Sequence, residues 1–135
     1  MSAFEHQALH FDQDKPLVYT AFSKHYFYYR MFISKYVLEQ GKVPLNPFMV
    51  FDYFLLDTVD RKVIREGNNN LVKRADELWV FGPISDGVLA EIKIAQKMEK
   101  LIRYFAIQKP HQIVPLRADE AEFEEDIKQF RPEIL

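Results

Sequence analysis

The chain has 135 residues, room for one domain with a proper core and not for two. Hydrophobic residues make up 48% and aromatics 15%, which excludes disorder, while a net charge of -2 offers no electrostatic pull on nucleic-acid polymers or anionic membranes. There is no cysteine, hence no disulfide framework, thiolate metal site or thiol nucleophile; with no membrane-length apolar run and no basic-then-apolar leader, a cytoplasmic location is expected.

Residues 1–15 are polar with scattered aromatics and read as an arm or a short lead-in helix. His6 and His10 stand four apart, but no glutamate follows His6 in the protease arrangement and no third ligand is evident. They are read as surface histidines, and no metal site is expected.

Pro16 opens a run, Leu17 to Phe22, that reads as the first strand. Ser23 or Lys24 then starts a helix in which Tyr29, Phe32, Ile33, Tyr36 and Val37 share one apolar face, with Gly41 at its C-cap. Tyr26, Tyr28 and Arg30 lie elsewhere on that helix. Flat aromatic surface of this kind suits a subunit interface, so a homodimer or higher homo-oligomer is expected.

Val43-Pro44-Leu45 reads as a short second strand ended by Asn46-Pro47. Phe48 to Asp57 is too apolar for a loop and is expected to form a short helix capping the site, with Asp52 and Asp57 as its carboxylates. Asp60 caps another helix running to Ala75, with Val63, Ile64, Leu71, Val72 and Ala75 inward. Gly67-Asn68-Asn69-Asn70 interrupts it, because glycine and asparagine are poor helix formers. Two readings stand: a kinked or broken helix with a solvated face, or amide groups presented to a ligand.

Leu78 to Phe81 reads as a strand covered on both faces, as in a parallel sheet, and it stops at Gly82-Pro83. Ser85 is a good N-cap and Asp86 complements the helix dipole. The helix runs to about Lys100, with Val88, Ile92, Ala95 and then Met98 or Glu99 at helical spacing. Leu101 to Ile107 follows as the next strand. This is a βαβ unit, and ligands in such folds sit where a strand's carboxyl end meets a helix N-terminus. Glu91 lies at the edge of the packed stripe, pointing back toward the mouth of that turn. From spacing alone it also reads as a solvated glutamate able to pair with Lys93 or Lys97.

Gln112 to Leu116 reads as an edge strand, since Pro115 is poorly placed in a central one. The tail from Ala118 reads as an acidic amphipathic helix ended by Pro132, with Phe123, Ile127 and Phe130 as a stripe that packs on its own domain or on a partner subunit. The chain thus divides into an arm (1–15), an α/β domain (16–117) and an acidic tail (118–135). The expected fold is a three-layer α/β sandwich with a flavodoxin- or Rossmann-like parallel sheet, order 2-1-3-4-5. Four glycines, none in a G-x-G-x-x-G array, argue against a dinucleotide, and no cofactor is expected.

The segments ADELWVFG (75–82), ISDGVLAEIKIA (84–95) and IRYF (102–105) resemble the nucleoside 2-deoxyribosyltransferase-like superfamily. The likeness is closest to its small members with a D-E-L-W-V-F-G strand and an S-[DE]-G-x-x-x-E turn-helix. It extends upstream to EQGKVPLNPFMVFDYFLLD (39–57) and so covers roughly residues 16 to 107. It implies that the Glu91 carboxylate attacks C1′ of a deoxyribonucleoside, displaces the base and forms a glycosyl ester that a second base or water resolves.

The chain departs from that superfamily's transferases at several places. Asn70 stands where they carry an aspartate that protonates or orients the base, and an amide cannot donate a proton as an acid does. Ser85, with Asp86 beside it, replaces another aspartate six residues before the nucleophile. Asp52 or Asp86 is left to substitute as the acid. The first strand reads YTAFSKHY where many relatives have a glycine-proline turn, and Tyr19 or Tyr26 is the candidate for orienting the nucleophile. The amides of Ser85, Asp86 and Gly87 suit a 5′-phosphate, provided Lys24 or Arg30 offsets Asp86 and Glu91. Ser85, Gly87, Gly82, Ala21, Asn46 and Asp52 are the expected substrate-binding residues. The resemblance thus implies deoxyribosyl transfer or hydrolysis on a nucleoside or nucleotide. The alternatives are a non-catalytic nucleotide-binding or sensor module of the same fold and, from the aromatic first helix, a structural oligomer subunit.

Overall fold

Five strands form one sheet in the order β2-β1-β3-β4-β5: β1 (Leu17–Ala21), β2 (Val43–Leu45), β3 (Glu77–Phe81), β4 (Leu101–Gln108) and β5 (Gln112–Leu116). A computed structural model describes residues 3–51, 58–108 and 112–135; Asp52 and Asp57 lie outside the described residues. The first four strands are parallel, and β5 runs antiparallel to β4. The expected three-layer α/β fold and the order 2-1-3-4-5 are present, with a mostly parallel sheet whose last strand is antiparallel. Only three residues separate β4 from β5, too few for the crossover a parallel neighbour needs. Both strand prolines, Pro44 and Pro115, sit on edge strands, where a missing N–H is tolerated.

The central strands are buried on both faces, and side-chain alternation sorts them into two cores. Tyr19, Ala21, Leu78 and Val80 face one side, while Val18, Phe22, Trp79, Phe81 and Phe105 face the other. The second core rests against α1 (Arg30–Glu39) through Ile33 and Val37. The expected single helix from Ser23 is instead a 3-10 segment (Lys24–Tyr29) that Ser23 caps, kinked at Tyr26 and then continued by α1. Phe32, expected on the inner face, stays exposed. A four-residue α2 (Pro47–Val50) follows β2, with Asn46 as its cap.

The first core is covered by α3 (Arg61–Arg74) and α4 (Asp86–Lys97). Helix α3 runs without a break through Gly67-Asn68-Asn69-Asn70, which overturns the reading of a kinked or interrupted helix. Burial of Ile64 and Val72 outweighs the weak propensities of that run. Gly67 has a local reason, since a Cβ there would stand 2.9 Å from Cζ of Phe51. Val63, expected inward, is more than half exposed.

Helix α4 stops at Lys97, earlier than the pattern suggested, and Glu99 turns the chain with φ 56. The tail packs on its own domain: Ala121, Phe123, Ile127 and Ile134 are buried in the first core. Its helix is 3-10 (Glu125–Ile134), kinked at Ile127, and Pro132 lies inside it rather than ending it. Phe130 points outward and Ile134 takes its expected place. No helix among the described residues is long and apolar enough to cross a membrane.

Candidate functional site

Chain direction diverges between β1 and β3: β1 leads through α1 to its outer neighbour β2, and β3 leads through α4 to β4 on the other side. In an open α/β sheet the crevice at such a switch point is the preferred place for a ligand. Two side chains from the flanking elements meet there. Tyr19 points from β1 into the first core, and its phenol donates a hydrogen bond to Oε2 of Glu91 on α4.

Their positions follow from local rules. Tyr19 is two residues before the end of β1 and shares a face with Ala21, so it stands on the α4 side of the sheet. Glu91 is in the second turn of α4, three residues after buried Val88 and four before buried Ala95. That spacing places it on the flank of the helix rather than on its solvent face. The residue keeps a partly exposed edge. Its carboxyl is nevertheless desolvated, and burial pushes it up from 4.5 to about 8, against the lowering effect of the Tyr19 hydrogen bond. Tyr19 is fully buried, and its phenol is raised well above 10.0 by burial first and by the charge of Glu91 second. Both directions describe a neutral tyrosine stabilising a carboxylate that low dielectric opposes. The alternative of a solvated glutamate paired with Lys93 or Lys97 does not match this geometry, and Lys93 bonds Glu133 instead.

The turn before α4 forms as its residue types require. Ser85 Oγ accepts from the Val88 amide at 3.3 Å as the N-cap. Asp86 and Gly87 are exposed in the first turn, with Asp86 Oδ1 accepting from the Gly87 amide at 2.7 Å. Gly82, at the end of β3, has φ +74, which a glycine adopts without strain, and it lies against the Tyr26 ring. Ala21 is buried at the carboxyl end of β1. These residues share one end of the sheet with the Tyr19–Glu91 pair.

The other expected site residues make contacts of their own. Asn46 is buried but spoken for: its Nδ2 donates to Arg30 O and Ser34 Oγ, and its Oδ1 caps Phe48 N, each at 3.1 Å. Asn70 is exposed, donating to Glu66 O and accepting from Arg74 on its own helix. Arg30 lies over the Phe27 ring at 4.0 Å and donates to the Phe27 carbonyl, while Lys24 is exposed. Tyr26 does not bond Glu91; it lines an open cleft of about 660 Å³ with His25, Pro83, Phe123 and the carboxylates of the tail. His25 closes one wall of that cleft by bonding Glu124 at 3.1 Å. Neither Tyr19 nor Glu91 lines it. Among the described residues no group of His, Asp and Glu side chains is arranged to hold a metal ion.

Of the Gly67–Asn70 run, for which the sequence offers a reading as ligand-facing amides, Asn68 is the residue not singled out there. It lies one turn from Ile64 and one turn from Val72, on the inner face of α3, and its Oδ1 is buried without a hydrogen-bond partner. The signal was present, since Ile64 and Val72 were both assigned inward and position 68 falls midway between them.

A family described as a domain of unknown function (DUF7768) matches residues 19–105, a span that begins at Tyr19 and contains Glu91. Among curated proteins none matches the chain.

Proposed function

We propose, from the premise that the chain belongs to the DUF7768 family, a domain of unknown function, that it cleaves or exchanges the N-glycosidic bond of a deoxyribonucleoside or its nucleotide. The observation that carries this reading is the desolvated Glu91 carboxyl, held by the Tyr19 phenol at the switch point of the sheet. The likeness of residues 75–105 to the nucleoside 2-deoxyribosyltransferase-like superfamily supports it.

The chemistry asks for one ionised carboxylate close to C1′. An oxygen of Glu91 bonds to C1′ as the C1′–N bond breaks, and the bonding pair leaves with the base, which takes up a proton. Water or a second base then attacks C1′ and returns Glu91 as a carboxylate. Tyr19 holds one oxygen of the nucleophile, leaving the other to react. Asp86, exposed in the first turn of α4, is the carboxyl we assign to exchange the proton of the base. A desolvated carboxylate is a strong nucleophile, yet with its proton leaving near pH 8 only a minority is ionised at neutral pH.

The test is incubation with deoxynucleosides and their 5′-monophosphates, following free base. Base release by the wild type that disappears in Glu91→Ala supports the reading. No release across the panel rejects it.

A second reading, a non-catalytic nucleotide-binding module, has its own support. Glu91 is mainly neutral at pH 7, and Asn70 is exposed with both ends of its amide bonded on its own helix. Stabilisation by a nucleotide without turnover would favour it, because a ligand bound far above its dissociation constant raises Tm measurably. Homo-oligomer formation belongs to the same proposal and rests on exposed Tyr28, Met31 and Leu38 along the first helices; sedimentation as a monomer would end it.

A further inference from the structure

The packing of Asn68 leaves a need unmet. Ile64 and Val72, one turn to either side, are buried, so Asn68 lies on the inward side of α3, half-buried as a residue with its Oδ1 closed off from solvent. Val72 belongs to the same cluster as Tyr19 and Ala21, and α3 packs on both β1 and α4. Asn68 therefore lies on the face of α3 that packs toward β1 and α4, the elements carrying Tyr19 and Glu91. Its Oδ1 is shut off from solvent and accepts no hydrogen bond.

That arrangement is costly twice over. A buried carbonyl without a partner loses its hydration for nothing, and asparagine is among the weaker helix formers. A leucine at position 68 would be favoured on both counts. Neighbouring Asn70 shows what a satisfied amide on this helix looks like, with Glu66 and Arg74 as its partners. An unmet buried acceptor beside a candidate site is accounted for by a donor that arrives with the ligand.

We propose that Asn68 is a sugar-binding residue of the Glu91 site, its Oδ1 accepting a hydrogen bond from a hydroxyl of the pentose. This rests on the N-glycosidic reading above. In a displacement at C1′ the nucleophile and the departing base lie on opposite faces of the sugar. The sugar is thus the part of the substrate pressed against Glu91, and the base is the part farther from it. An acceptor on the face of α3 that packs toward α4 meets the sugar first, and a pentose hydroxyl is a donor of the required kind. Tyr19 does not meet the need, because its single phenolic proton is given to Glu91.

The experiment measures thermal stability in the Glu91→Gln background, which removes cleavage and leaves binding. The four deoxynucleosides and their 5′-monophosphates are compared with the 3′-deoxy and 5′-deoxy nucleosides, with and without Asn68→Leu. The intact nucleoside should stabilise more than the analogue lacking the bonded hydroxyl, and Asn68→Leu should abolish that difference by weakening the intact ligand about tenfold. Without ligand, Asn68→Leu should raise Tm. A preference among analogues that survives Asn68→Leu overturns the assignment of Asn68 alone, as does a fall in ligand-free Tm, which would mean the amide is bonded within the protein. Absence of any shift with every nucleoside and every 5′-monophosphate, in the wild type as well, overturns the N-glycosidic reading and this proposal with it.

Discussion

The phenol of Tyr19, near the end of β1, donates to the carboxylate of Glu91, in the second turn of α4, across 72 positions of sequence. The contact ties the strand on one side of the switch point to the helix on the other. It also sets two tendencies against each other on one carboxyl group. Burial favours the protonated form, and the hydrogen bond favours the ionised one. Burial is the larger effect, which is why the proton leaves near pH 8 rather than in the ordinary carboxylate range.

Stability should therefore fall as pH rises through the window set by Glu91. Its folded value of about 8 lies above the ordinary 4.5, so the folded chain binds more protons than the unfolded chain between those two values. The raised carboxyl is harmless below pH 4.5, and its penalty grows with pH from there until about pH 8. Glu91→Gln removes this dependence. Denaturant melts of both chains from pH 4 to 9 should agree in acid and diverge upward, with the variant the more stable at pH 9. Parallel curves throughout would show that Glu91 ionises normally.

Tyr19→Phe separates orientation from mere packing, since it deletes one oxygen from a buried ring. Without the phenolic donor the Glu91 carboxylate loses its stabilising bond, so its proton should leave later, by about one pH unit for a bond of roughly 1–1.5 kcal/mol. If base release occurs, the rising limb of kcat/KM against pH, which reports the free enzyme, should move to higher pH in the variant. A limb that stays in place would assign the titration to another group.

Gly67 offers a coupling test of the α3 packing. Alanine in a helix interior is worth about 1 kcal/mol over glycine, but its Cβ would collide with the Phe51 ring. Gly67→Ala should fail to stabilise the wild type and should stabilise a Phe51→Ala chain by about 1 kcal/mol. Equal effects in both backgrounds, read from urea midpoints, would show that the ring does not rest on this helix.

The tail is part of the core rather than an appendage. Phe123 is buried, pairs across to Ile84 beside the start of α4, and lies under the Arg131 guanidinium at 5.5 Å. Phe123→Ala should cost about 3–5 kcal/mol. A loss below 1 kcal/mol, measured by urea denaturation, would mean that the tail docks only weakly.

Much of this architecture was legible because it depends on periodicity and on residue types with fixed local preferences. Leu78 to Phe81 could only be a strand buried on both faces, Ser85 could cap the following helix, and Pro115 belonged at an edge. Errors arose where a local preference met a stronger force from elsewhere in the chain. The Gly67 to Asn70 run looks like a break until α4 and β1 are placed against it, and Pro132 looks like a stop until Ile134 is seen buried beyond it.

By itself the sequence located the five strands and the helices around Ile33, Ile64 and Ile92, and it put Glu91 at the edge of the packed stripe of its helix, because each of these depends on spacing within a few residues. The strand order 2-1-3-4-5 was an expectation from the fold class. Only the tertiary structure decided that Tyr19 is the partner of Glu91, that β5 runs antiparallel, and that Asn68 rather than Asn70 turns inward. Those outcomes depend on which surfaces exclude water from each other. Desolvation raises the Glu91 proton affinity and strands the Asn68 oxygen, and it exists only once distant parts of the chain have closed over them.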